Sequence, residues 1–168
     1  MEALGGLRPY FRKDGLVTAG NASGIGDGSA SAVLAGADWA EANGVSPIGR
    51  IVSWGFVGVE PQVMGIGPAP AARLALEKAG LSLGDLEAIE INEAFASMAV
   101  ASTRIMELDR DIVNQNGSGC SLGHPIACTG ARMIVSMVNE LIRSDSQLGA
   151  VAMCAAGGMG SATIIERV

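Results

Sequence analysis

From Ile48 onward the chain alternates short apolar runs with longer segments of helical period, and the change of rhythm separates strands from helices. "IGRIVSWGFVGV" strings Ile, Val, Trp and Phe together with few polar interruptions and predicts a long strand, followed by the glycine and proline loop "PQVMGIGPAPA". "PAARLALEKAG" predicts a short helix stopped at Gly80, "DLEAIEI" a strand, and "NEAFASMAVASTRIMEL" a helix with its apolar stripe at Met98, Ala101, Ile105 and Leu108. "RDIVNQN" reads as the next strand. In "HPIACTGARMIVSMVNELIRS" the pairs Met133/Ile134, Met137/Val138 and Leu141/Ile142 mark a strongly amphipathic helix. "GAVAMC" and "GSATIIERV" close the chain as two strands around the turn "AAGGMG". The order β-α-β-α-β-α-β-β predicts an α/β layered fold with helices on a mixed sheet.

The first 45 or so residues lie outside this repeat. "VTAGNASGIGDG" reads as a loop, followed by small residues and an acidic, alanine-rich helix. The 168 residues, 49% of them hydrophobic, suffice for one domain with its own core. A net charge of -6 leaves no basic face to follow a phosphate backbone, so nucleic acid is not an expected partner. Three cysteines without CxxC spacing argue against a disulfide framework or a zinc site and point to a reducing compartment. There is no signal-peptide pattern and no apolar run long enough to span a bilayer, so the expected location is cytoplasmic.

In open α/β sheets ligands bind beyond the carboxyl ends of strands, which draws attention to three strand exits. Asn92 and Glu93 follow "AIEI"; they read either as a helix N-cap with a first-turn acid or as polar groups of a site. His124, the single histidine of the chain, follows the "DIVNQN" exit, and its neighbour Pro125 suits the first turn of a helix. A helix start favours a neutral imidazole acting as base or hydrogen-bond donor, although a lone histidine can equally be structural. Cys154 ends the "GAVAM" run and is either a buried inert thiol or part of a site with the small-residue turn behind it. Together these groups have the form of an acyl-transfer site: a thiol, an imidazole, an amide and backbone donors for an oxyanion. A nucleophile is missing, since Cys120 and Cys128 read as small packing residues.

"KDGLVTAGNASG", "GRIVSWGFVGVEPQVMGIGPAPA", "INEAFA", "LGHPI…TGAR" and "CAAGGMG", in this order, closely resemble the C-terminal half of a thiolase of the acetyl-CoA acetyltransferase type. The resemblance covers essentially the whole chain. It implies a thiolase-like layered fold and the formation or thiolytic cleavage of a carbon–carbon bond α to a thioester through an acylated cysteine. His124 would activate that cysteine and donate to the thioester oxygen, Asn92 would hold the water that supplies the other oxyanion donor, and Cys154 would exchange the α-proton. The backbone of Ala156 would serve a second oxyanion hole, where the family commonly has glycine. Ala19 and Ser23 align with the loop that contacts the pantetheine arm of coenzyme A, and Met64 and Phe95 with residues lining the acyl pocket. Coenzyme A enters as substrate and product, and no cofactor or metal is implied.

The resemblance also implies what is absent. Residues 1–46 align with a segment that completes the N-terminal thiolase domain and its CoA-contacting loop, and residues 47–168 with the C-terminal domain; the nucleophilic cysteine belongs to the part not present. The leading expectation is therefore one subunit of a two-chain thiolase, the partner chain carrying that cysteine and the pairs associating into dimers or tetramers. The opening methionine favours an independent gene product. The alternatives are a non-catalytic acyl-CoA-binding or scaffold protein derived from a thiolase half, and a fragment of a single-chain thiolase.

Overall fold

The computed structural model describes residues 2–168. Two antiparallel pairings and one parallel pairing build a four-stranded mixed sheet in the order β1-β4-β3-β2. The strands are β1 (Gly49–Gly58), β2 (Ala88–Ile91), β3 (Leu148–Ala155) and β4 (Met159–Arg167). The helices are α1 (Glu2–Gly5), α2 (Ala37–Ala42), α3 (Pro68–Ala79), α4 (Ala96–Met106), α5 (Gly119–Leu122) and α6 (Thr129–Arg143). β2 runs parallel to β3, and β4 is antiparallel to both β1 and β3.

Alternation along the strands sends side chains to two separate cores. Ile89, Ile91, Ala150, Ala152, Ala162 and Ile164 pack against the alanine-rich face of α3 and against Ala99 and Met106 of α4. Ala88, Val151 and Ile165 point the other way, onto Met133, Met137, Val138 and Leu141 of α6. The layers are thus α3 and α4, sheet, α6. Small residues set the spacing of the first interface: a Cβ on Gly55 of β1 would lie 2.5 Å from the Ala71 carbonyl of α3, and Ser53 Oγ donates to the Ala75 carbonyl at 2.6 Å. α3 begins two residues earlier than its pattern suggests, because Pro68 and Pro70 fit the first helical turn, and it ends at Gly80 with φ +70°.

Three expectations need correction. "RDIVNQN" forms a 3₁₀ turn, Arg110–Ile112, and a single parallel bridge from Val113 to Ile89. The strand stops because Asn114 takes φ +51° and its side chain replaces the ladder: Oδ1 accepts the Ile91 N–H at 2.7 Å and Nδ2 donates to the Ile91 carbonyl at 3.0 Å. α4 buries Met98, Ala99, Ser102 and Met106, while Ile105 is largely exposed and Ala101 half-buried. The buried stripe is rotated by about one position because Ser102, whose hydroxyl donates to the Gly65 carbonyl at 3.3 Å, lets the helix approach closely. Finally, α6 starts at Thr129, with Pro125 in the turn before it.

Residues 2–46 carry the short helices α1 and α2 and, among the described residues, no strand beyond one bridge between Ala22 and Phe95. Ser23 N–H donates to the Ala94 carbonyl at 3.0 Å and Ala96 N–H to the Asn21 carbonyl at 2.8 Å, which fastens this segment to the start of α4. Tyr10, Leu16, Ile25, Val33 and Leu34 are all exposed.

Asn114 provides a direct test of this architecture. Asn114→Ala removes both bonds to the buried ends of β2 and should destabilise the fold by about 2–3 kcal/mol, on the usual cost of buried unsatisfied groups. Denaturant unfolding reads the shift, and an unchanged midpoint would show that β2 does not depend on this side chain.

Candidate active site

β2 ends at Ile91, and the next residue, Asn92, is fully buried. Its N–H donates to the Ala152 carbonyl of β3 at 2.9 Å, so the ladder runs one residue past the strand and carries the amide to the sheet end. α4 begins four residues later with Phe95 as N-cap, so Asn92 is not a helix cap and Glu93 is not a first-turn acid. Glu93 instead joins two loops: Oε1 accepts from Asn114 Nδ2 at 3.2 Å and Oε2 from the Cys120 N–H at 3.1 Å.

His124 arrives from the other side. Asn92 Nδ2 lies 3.4 Å from His124 Nε2, and His124 Nδ1 lies 2.7 Å from Thr129 Oγ1 at the first residue of α6. Burial, reinforced by the positive charge of Arg132, pulls the imidazole below its ordinary value of 6.5. Both causes act toward the neutral ring expected from the sequence, but neither is a helix start, since α6 begins only at Thr129.

Cys154 sits near the end of β3, two residues beyond the carbonyl that Asn92 engages, and burial pushes its thiol up. Its Sγ lies 4.0 Å from Met98 Sδ, a contact the sequence reading did not anticipate. Ala156 follows in the exposed turn before β4. Gly157 and Gly158 there have φ +89° and +87°, and a side chain on Gly158 would strike the Val59 carbonyl, which accounts for glycine in "AAGGMG". Cys120 donates weakly to the Glu93 carbonyl at 3.5 Å, and its thiol is pushed up by burial and by Glu93, so it suits packing better than nucleophilic attack. Cys128 is buried as the N-cap of α6.

Ser23 and His124 both line one open groove of about 360 Å³, formed by residues 23–28 and 124–128. Phe95 is half-buried and meets Phe11 edge-on at 5.7 Å. Met64 is half-buried in a 3₁₀ turn, Pro61–Ile66, next to Gly65, on which a Cβ would press against Met98. Ala19 is exposed in the turn ahead of Ser23 and does not line the groove.

Beneath these groups lies a charged pair that the sequence reading passed over. Glu90, in the middle of β2 and buried, accepts from Arg132 Nη1 of α6 at 2.5 Å and from Ser118 Oγ at 2.8 Å. The signal was present: an acid between two isoleucines of a four-residue strand needs a partner when buried. With one histidine in the chain, its depressed protonation is readable in stability. The unfolded state takes up the proton first, so stability should be full above about pH 6.5 and fall as pH drops from there toward the lower folded value. Denaturant midpoints against pH measure this, and His124→Gln should flatten the profile in that window.

Residues 45–167 match the family described as thiolase, C-terminal domain, and residues 1–38 match thiolase, N-terminal domain. The chain is 48% identical over 167 residues to an acetyl-CoA acetyltransferase of Paracoccus denitrificans, covering 99% of this chain and 43% of that protein. It is 52% identical over 163 residues to a beta-ketothiolase of Cupriavidus necator, covering 96% of this chain and 41% of that one. The crystal structure of the Bacillus anthracis acetyl-CoA acetyltransferase superposes with a TM-score of 0.97 at 53% identity, over 99% of this chain and 42% of its own. This chain thus spans less than half the length of these relatives. In fold and in the motifs that form its site, it belongs to the thiolase family.

Proposed function

We propose that this chain supplies the C-terminal half of an acyl-CoA thiolase site, of the acetyl-CoA C-acetyltransferase type, and that the cysteine nucleophile comes from an N-terminal half on a partner chain. The observation that carries the reading is the meeting of Asn92 and His124 at 3.4 Å beyond β2, with Cys154 on the adjoining strand. A cytoplasmic setting suits the three free cysteines.

In this reading His124 takes the proton of the partner's cysteine, whose sulfur attacks the thioester carbonyl of an acyl-CoA. The coenzyme A thiolate leaves as Cys154 gives it a proton. That leaves Cys154 as a thiolate in a partly desolvated site, a strong base for the α-proton of acetyl-CoA. The resulting enolate attacks the acyl-enzyme carbonyl, the 3-ketoacyl-CoA is released and the cysteine is freed; thiolysis runs the same steps backwards. Developing negative charge on the thioester oxygen is met by His124 and by a water held at Asn92, whose buried Oδ1 has no protein partner. Ser23 and the groove it shares with His124 suit the amide-bearing arm of coenzyme A. The exposed apolar residues of the first 46 positions support a surface that a second thiolase half covers.

The pure chain should show no thiolysis or condensation, and measurable turnover by it alone would overturn the partner requirement. In the enzyme assembled with an N-terminal half, Cys154→Ala should still permit acylation of the partner's cysteine, seen as an acyl mass increment on that chain, while condensation is lost. Asn92→Ala should lower kcat by roughly 10²–10³, the usual effect of one oxyanion donor. Normal condensation by Cys154→Ala would refute its role, and acyl-CoA binding without any activity in the assembled pair would favour the scaffold reading.

A further inference from the structure

Thr129 has no part in the chemistry described so far, yet it is fully buried and holds one end of the histidine ring. Its Oγ1 stands between two groups, His124 Nδ1 at 2.7 Å and the Pro125 carbonyl at 3.0 Å. A hydroxyl has one proton and two lone pairs, so it can donate to the carbonyl while accepting from Nδ1–H, or turn and donate to an unprotonated Nδ1. Turning leaves nothing stranded, because the Pro125 carbonyl also accepts the N–H groups of Cys128 at 2.8 Å and Thr129 at 2.9 Å.

The other end of the ring has the same freedom. Asn92 Nδ2 faces His124 Nε2 and can donate to its lone pair, which requires the proton on Nδ1. Asn92 Oδ1 is buried without a partner. Rotating the amide by half a turn exchanges the two atoms at no change of shape and offers Oδ1 to an Nε2–H. Either proton arrangement thus finds a partner at both ring nitrogens and leaves one Asn92 amide group without a protein partner, Oδ1 in one case and Nδ2 in the other, so the amide favours neither. A carboxylate in the place of Thr129 would accept only, fixing the proton on Nδ1 and favouring a charged ring.

We propose that Thr129 is a positioning residue whose hydroxyl, with the Asn92 amide, forms a reversible hydrogen-bond chain that lets His124 hold its proton on either ring nitrogen. Both neutral tautomers are populated at rest. Nε2 is then bare in one tautomer, ready to accept a proton, and protonated in the other, ready to donate a hydrogen bond. The inference rests on His124 being the acid–base group of the proposed site.

The single histidine makes the test clean, since a ¹⁵N-histidine label in this chain gives one imidazole even beside an unlabelled partner. Above the titration of the ring, both nitrogens should resonate between the fully protonated and fully unprotonated extremes. Thr129→Ser, which keeps the hydroxyl, should preserve that pattern, and Thr129→Val should drive the nitrogens to opposite extremes. Wild-type protein with one nitrogen fully protonated and the other bare would overturn the proposal, whichever nitrogen it is, and so would an unchanged spectrum in a folded Thr129→Val. Should Thr129→Val fail to fold, the wild-type and Thr129→Ser spectra decide. The readout is independent of turnover: an assembled pair that lacks thiolase activity while its imidazole shows both tautomers would sink the functional reading and leave this one standing.

Discussion

One buried carboxylate ties together the elements that form the site. Glu90 sits in β2 two residues before Asn92, accepts from Ser118 in the loop that leads to His124, and pairs with Arg132 in the first turn of the helix that follows His124. Taking both charges out of water costs several kcal/mol per ion, which their attraction and hydrogen bonds must offset, so such a pair is weak evidence for net stability. Its geometric effect is clearer. A carboxylate that needs a guanidinium and a hydroxyl at the same time admits few relative placements of a strand, a loop and a helix. Glu93, bridging Asn114 and the Cys120 amide, repeats the device three residues along.

The electrostatics of the site follow from this scaffold. Arg132 is drawn into the interior by Glu90, and from there its charge opposes protonation of His124. Burial at the sheet end acts in the same direction on the imidazole and holds Cys154 as a thiol. Both effects favour an uncharged imidazole and an uncharged thiol, and the imidazole borders an open groove. Chemistry that generates an enolate gains from fixed donors and an undissociated thiol in such surroundings, because charge then develops only where the donors are already placed.

Much of the scaffold was legible in the chain. The long strand at β1, the helix stopped by Gly80, the stripe of α6 and the closing hairpin follow from local pattern, because period 2 and period 3.6 burial each leave a signature that needs no partner to be read. Asn92, His124 and Cys154 could be singled out as residues following strand-like runs, and the family motifs gave them expected roles. The misreadings arose where a side chain does the work of the backbone. "RDIVNQN" has strand composition, but Asn114 supplies the ladder bonds through its amide, so the strand is not needed. "NEAF" has the look of a helix start, but Asn92 and Glu93 are spent on strand extension and loop bridging before α4 begins.

The sequence by itself determined most of the element types, "RDIVNQN" excepted, the layering of helices on a mixed sheet and the residue types available for acyl transfer, since these depend on spacing within short windows. Tertiary structure alone decided which face of α4 is buried, that Glu90 meets Arg132, that Met98 meets Cys154, and that Thr129 and Asn92 hold opposite ends of one imidazole. Each of these joins positions whose relation is set by the packing of separate elements or by the turn of a loop. Distance in the chain carries no record of the angles at which strands end and helices begin, and a hydrogen bond is decided by fractions of an ångström in those angles.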